Sequence, residues 1–246
     1  MYYVEITDPD SDELIQFHDV LVEAFPDPYG QEDVNILREN LRKGSWVSED
    51  EVCQYHLIVA RRDDRVVGGT SFYFFGDKNN AVSNGLGMGA YLAVRDDFRG
   101  NGIGTNLIAM RDQTLSRDAG KFGFGLRGLV IQVSDSCLMS AEEIEQDSMN
   151  PRDRERFWQQ RGYRKIDFNF IQPPIRNGEP PIEYLSLHMF PYCSQWRSMK
   201  HISRADLQDI VYCFVKCTGT PGPFESDTSC IRMKSELAAH EYFRIV

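Results

Sequence analysis

The chain has 246 residues, 37 acidic against 27 basic, for a net charge of −10, with 41% hydrophobic and 26% charged residues. This is the make-up of a soluble globular protein with a sizeable core; its acidic balance argues against a nucleic-acid surface and mildly favours cationic partners. No apolar run approaches the ~20 residues of a membrane helix, Glu5, Asp8 and Asp10 replace a leader, and the six cysteines form no Cys-x-x-Cys pair, so a cytoplasmic protein with free thiols, no membrane contact and no metal is expected.

Residues 2–6 predict a short strand. Asp10 or Ser11 can cap a helix whose Leu14, Ile15, Phe17, Val20, Leu21, Ala24 and Phe25 follow helical spacing, stopped by Pro26 and Pro28. A second amphipathic helix fits residues 32–43, with Val34, Ile36, Leu37 and Leu41 apolar and Gly44 as its stop. Two strand-like runs, 55–60 and 66–75, flank a polar hairpin turn at 61–65. A loop over 76–85 then leads to a third strand ending at Val94, and three consecutive antiparallel strands are the simplest arrangement.

Past Val94 a short charged turn leads to glycines at 100, 102 and 104, and a helical pattern begins at once. Ile103, Leu107, Met110, Thr114 and Leu115 trace one face of a helix to about residue 119, with Gly120 as its predicted stop. A strand, a glycine turn and a helix start form a natural cradle for an anion such as pyrophosphate: the glycines admit close backbone approach, and the first helical amides carry partial positive charge. Thr105 and Asn106 follow Gly104 without the lysine of a Walker loop, and Thr105 also breaks a dinucleotide fingerprint. Gly85, Gly87 and Ala90 satisfy that fingerprint, which would suit a dinucleotide-binding oxidoreductase. They lead into a strand instead of a helix, and so read as chance or as a bulged strand.

Residues 129–133 predict a buried strand, parallel to the one ending at Val94 across a right-handed helical crossover. The acidic stretch 140–151 reads as a solvated loop or short exposed helix, or as a lid offering carboxylates to a cationic acceptor. A helix over 152–161 precedes two late strands, 163–171 and 184–189, joined by a stiff connection holding Pro173-Pro174 and Pro180-Pro181. Ser203 caps a helix to about residue 217, on which Cys213 and Cys217 share a face. After a break at 218–223, Ser226 or Asp227 starts a last helix to about residue 242.

Arg99-x-x-Gly102-x-Gly104, flanked by Val94 and Leu107, resembles the pyrophosphate loop of the GNAT acyltransferase superfamily. Phe157-Trp158-x-x-Arg161-Gly162-Tyr163 resembles the second signature of that family. The resemblance implies an α/β (α+β) fold with a mixed, mostly antiparallel central sheet, flanking helices and a C-terminal helical extension. It covers residues 1–190 as the acyl-CoA-binding domain, leaving 191–246 as an extension packed on it. It implies acetyl-CoA or another acyl-CoA as co-substrate, and an N-acyltransferase, most plausibly an N-acetyltransferase, moving the acyl group to a primary amine by direct attack. The acceptor would be a small cationic molecule or a protein or peptide amine; a second copy of the chain is a further candidate partner. The first two helices would form part of the acceptor pocket.

Carried over residue by residue, the resemblance assigns the cofactor to Leu92, Ala93 and Val94, whose backbone would bond the pantetheine arm, and to Arg99, Gly100, Asn101, Gly102, Ile103, Gly104 and Thr105. Asn150 stands one place from the family's cofactor-contacting asparagine. The family's usual acid, a tyrosine, falls on Trp158, whose indole cannot supply a proton that way; Tyr163 is close in sequence. The usual glutamate is missing from the strand before the loop, where Met88, Gly89, Ala90 and Tyr91 stand. Asp135 and His56 are the nearest candidate bases, and relay through water with no single base is the other route. These departures also suit a non-catalytic CoA-binding module.

Overall fold

The β-branched and aromatic residues between positions 51 and 77 form a long hairpin, and the helices of the first half of the chain lie against it. The computed structural model describes residues 1–27, 30–79, 84–176, 178–217 and 227–246. The expected roles of Pro28, Ser226 and the break at 218–223, part of the 76–85 loop, and the Cys217 side chain lie outside the described residues. The chain divides into two compact units, Met1–Leu126 and Arg127–Val246.

The first unit contains β1 (Tyr2–Glu5), α1 (Asp12–Ala24), α2 (Val34–Lys43), β2 (Trp46–Val47), β3 (Glu51–Arg62), β4 (Arg65–Asp77), β5 (Asn84–Val94) and α3 (Ile103–Phe122). Its strands run in the order β1-β3-β4-β5, all antiparallel, with β2 on the same edge of β3 as β1. Asp63, at φ 54, begins the two-residue turn between β3 and β4, a left-handed position that aspartate tolerates. Phe17, Val20 and Leu21 of α1 are fully buried. Gly69 on β4 makes room for Phe17, whose ring lies 2.6 Å from where a Cβ would sit. Burying each such side chain is worth roughly 1.5–3 kcal/mol.

α3 covers the other face. Its Phe122 stacks on Phe74, and its Asp118 bonds to His56 of β3. The register sets Phe72 beside Gly89 and Phe74 beside Gly87, so these strand glycines leave lateral room for aromatic rings on the α3 side. The Gly85–Ala90 pattern is therefore strand, as read, and it is bulged: pairing steps from Ser71↔Tyr91 to Phe72↔Gly89, leaving Ala90 extra. One expectation changes. α3 passes Gly120, which is exposed, and stops at Gly123, whose φ of 76 supplies the left-handed cap.

The second unit contains β6 (Gly128–Ser134), α4 (Ala141–Gln146), α5 (Pro151–Gln159), β7 (Arg164–Lys165), β8 (Leu185–Pro191), α6 (Ser194–Ser198), β9 (His201–Ser203), α7 (Arg204–Cys217), α8 (Thr228–Ala239) and β10 (Tyr242–Arg244). β8 pairs antiparallel with β6 and β7, and β9 with β10. Trp196 of α6 is buried over Gly128, where a Cβ would meet its ring at 2.5 Å. The acidic stretch forms the exposed helix α4, capped reciprocally by Ser140 and Glu143. The strand expected over 163–171 shortens to β7, because the backbone then turns to the chain's end: Lys165 and Val246 exchange N–H···O bonds, and the N–H of Asp167 donates to the carbonyl of Arg244.

The expected class holds: mixed α/β, with mostly antiparallel pairing and flanking helices. Among the described residues, no helix is long and apolar enough to cross a membrane.

Candidate active site

β5 delivers the chain to the glycine turn. Arg95 anchors the exit: it is buried, its Nε donates to the carbonyl of Val66 at 3.1 Å, and its guanidinium pairs with Glu23 of α1. A single 3₁₀ turn, Asp96–Phe98, follows. Arg99 then folds back, with Nε donating to the carbonyl of Val94 at 3.1 Å and Nη1 2.7 Å from Asp96.

Gly100 and Gly102 have φ of 79 and 76, and among the described residues, chain neighbours aside, no atom lies within 4 Å of where either Cβ would be. Backbone conformation therefore demands glycine at both, and both present bare backbone to open space. Gly102 is the N-cap of α3, whose first helical bond runs from the N–H of Asn106 to the carbonyl of Gly102 at 3.0 Å. The amides of Ile103 and Gly104 precede that bond and form the positive end of a 20-residue helix. Asn101 braces the turn through Nδ2 to the carbonyls of Phe98 and Arg99. These residues suit a pyrophosphate, as an open backbone cradle at a helix start.

Beside the turn, Leu92, Ala93 and Val94 pair with Thr70, Gly69 and Gly68 of β4. The Thr70 hydroxyl donates to the carbonyl of Tyr91 at 2.8 Å, fixing the strand next to its bulge.

The face of the sheet toward α1 and α2 holds a group that the sequence did not single out. Glu32, just before the α2 cap Asp33, is buried. Its backbone N–H donates to the Tyr91 phenol oxygen at 2.9 Å, and its Oε2 accepts from Asn40 Nδ2 at 3.1 Å. Burial pushes its carboxyl up to about 7, against the lowering effect of the Asn40 hydrogen bond. Tyr55 lies near enough for its phenol to be pushed up by burial and then by the Glu32 charge. Its ring packs on Tyr73 at 4.9 Å. Tyr55 and Ser71 are both buried, and a hydrogen bond with the Ser71 hydroxyl acts on the Tyr55 phenol against that rise. Glu32 shares burial with Asp118 and Asp135 among the described acidic residues, and no pattern in the sequence marks it.

His56 lies on the α3 face of β3, 7% exposed, between two carboxylates: Nδ1 is 2.5 Å from Glu5 and Nε2 is 2.6 Å from Asp118. Burial alone would lower its pKa, but the hydrogen bonds to Asp118 and Glu5 outweigh that and raise it. In the second unit Asp135 is buried just beyond β6, paired with Lys165 and accepting the Cys137 N–H at 3.0 Å. Tyr163 is buried between Trp158 and Phe190, at 4.8 and 5.3 Å. Asn150 caps α5 by accepting the Arg152 N–H at 3.0 Å. Leu92 to Thr105 and His56 belong to the first unit; Asp135, Asn150 and Tyr163 belong to the second.

Antiparallel sheet, bulged strand, glycine turn and helix start together give the first unit a GNAT-like fold. Residues 14–119 match the model of the acetyltransferase (GNAT) family, a span that includes both the turn and Glu32. Over residues 14–119 the chain is thus similar to the GNAT acetyltransferases, a class of acetyl-CoA-dependent enzymes. A GNAT-family protein from Bacteroides thetaiotaomicron shares the fold at a TM-score of 0.54 and 16% identity, over 88% of this chain and 97% of that one. An aminoglycoside 6'-N-acetyltransferase in complex with coenzyme A (TM-score 0.48, 15% identity, 78% and 97% covered) and a ribosomal-protein-alanine N-acetyltransferase from Brucella melitensis (0.45, 15%, 78% and 99%) are also similar. No curated protein sequence matches the chain.

Proposed function

We propose that the protein is a cytoplasmic N-acetyltransferase that moves the acetyl group of acetyl-CoA to a primary amine by direct attack. The observation that carries this reading is the left-handed pair Gly100 and Gly102, open to solvent at the start of α3, directly after Arg99. The amides of residues 100–105 would receive the pyrophosphate, with Arg99 adding positive charge. The backbone of Leu92 and Ala93 would hold the pantetheine arm, and one of their amides would polarise the thioester carbonyl.

For the acceptor, the reading favours a small cationic amine, ahead of a protein or peptide amine. The support is the net charge of −10 and a buried carboxyl near the β5 bulge.

Calorimetric titration with acetyl-CoA and CoA, on wild type and on an Arg99→Ala, Gly102→Val double variant, tests the coenzyme site. Binding by wild type that disappears in the variant supports the reading. A folded wild type that binds neither overturns it.

A further inference from the structure

We propose that Glu32 is the proton acceptor for the amine substrate, on the sheet face that carries α1, α2, Tyr55, Ser71 and Tyr91. This rests on the acetyl-transfer reading above, and assigns the base that the usual strand position lacks.

Position comes first. Tyr91 adjoins the bulge at Ala90 and is followed by Leu92 and Ala93, so its bond to the Glu32 N–H ties the carboxyl-bearing residue to the strand expected to hold the thioester. The site also lacks a counter-charge. A buried carboxylate is costly unless a cation or several donors compensate it. Among the described residues, Asn40 is the single side-chain donor to Glu32, and no lysine or arginine pairs with it. An arriving ammonium would supply the missing cation. Tyr55 and Ser71 add buried hydroxyls on the same sheet face, with Tyr55 near enough to feel the Glu32 charge. Burial also brings the carboxyl close to neutrality, where a base is most effective.

The chemistry balances without a further reactant. Glu32 takes one proton from R–NH₃⁺, leaving R–NH₂. The nitrogen lone pair forms the C–N bond at the acetyl carbonyl carbon. Collapse of the adduct breaks the C–S bond, and the second nitrogen proton ends on the departing sulfur. The products are the acetamide and the CoA thiol; Glu32 returns its proton to water.

The test is thiol release by wild type and Glu32→Gln from pH 5.5 to 9, with spermidine, kanamycin and a peptide with a free amino terminus, and with hydroxylamine, which is uncharged at pH 7. Calorimetry with acetyl-CoA runs in parallel. The proposal expects coenzyme binding unchanged in Glu32→Gln. With the best of the three charged amines, kcat/KM should fall about 100-fold and the rising limb near pH 7 should vanish. Hydroxylamine turnover should change by less than about threefold, because its nitrogen needs no base to become neutral. Asn40→Ala, which removes the donor to the carboxylate, should move the limb to higher pH, and gives a second readout should Glu32→Gln fold poorly.

Retention of the limb in Glu32→Gln, or an equal loss with hydroxylamine, overturns the proposal and leaves the coenzyme site standing. So does a wild type that binds acetyl-CoA yet acetylates none of the charged amines. A wild type that does not bind acetyl-CoA overturns the transfer reading and this proposal together.

Discussion

The phenol oxygen of Tyr91 accepts the backbone N–H of Glu32 at 2.9 Å, across 59 positions of sequence, and so joins the start of α2 to the strand that leads into the glycine turn. Tyr91→Phe keeps the ring, which packs 5.7 Å from Phe25, and removes only the oxygen. The Glu32 amide is then left without its acceptor. We expect a loss of about 1 kcal/mol in urea unfolding, and a fall in kcat larger than any change in the KM for acetyl-CoA. An unchanged kcat would show that the link does not position Glu32.

Glu32 also sets a pH dependence of stability. Its native carboxyl is raised from 4.5 to about 7, so the folded state favours the protonated form. That contribution is fully present below pH 4.5 and is lost as pH rises through about 7. The lift corresponds to about 3 kcal/mol. Glu32→Gln should therefore be more stable than wild type at pH 8.5 by an amount of this order, and should differ little at pH 5. Thermal melts at the two pH values decide the matter; equal offsets at both would mean that the carboxyl is not raised.

The Glu5–His56–Asp118 cluster runs on two limbs. With both ring nitrogens facing carboxylates, His56 is held as the imidazolium, and its raised pKa makes the stabilisation complete below about 6.5 and lost as pH rises through the native value. The hydrogen bond from His56 is the chief cause that lowers Glu5. Burial pulls Asp118 the other way, but the His56 bonds and charge outweigh it and lower Asp118 as well. Stability from this pair is thus present above the ordinary carboxylate range and lost on acidification. His56→Gln should cost most near pH 5–6 and progressively less toward pH 9. A cost that does not vary with pH would mean that the ring is neutral.

In the glycine turn, conformation and crowding can be separated. Gly102→Ala places a Cβ at φ 76 with nothing within 4 Å, so its cost is backbone strain of about 1 kcal/mol, together with weaker acetyl-CoA binding from a methyl group on the open backbone. Gly104 lies inside α3, and its nearest neighbour to a Cβ is Val94 Cγ2 at 3.9 Å. Gly104→Ala should leave the melting temperature unchanged or slightly raised, since alanine is the better helix former. Calorimetry then shows whether the 104 position also faces the coenzyme: undiminished affinity in Gly104→Ala with reduced affinity in Gly102→Ala would confine the contact to the turn.

Local signals carried much of this fold. Helical spacing and stop residues located α1, α2 and α3; β-branched runs located the β3–β4 hairpin; and the alternating glycines marked a strand-to-helix turn, because positive φ is a demand that one residue type meets almost alone. What a residue touches was not legible in the same way. Gly120 reads as the stop of α3, but the left-handed cap falls on Gly123. Residues 163–171 have the composition of a strand, yet the backbone of residues 165–167 is drawn to the last residues of the chain. His56 has the chemistry of a base, and only the fold brings Glu5 and Asp118, far apart in sequence, to its two nitrogens. Glu32 is one of 37 acidic residues, and burial beside Tyr91 and Tyr55 is what sets it apart. The sequence by itself determined the secondary elements and the glycine turn, which depend on backbone preferences within a few residues. The tertiary structure alone decided which ionisable groups lose their water and which face an opposite charge, because desolvation and Coulomb energy depend on distances that the chain sets only when folded.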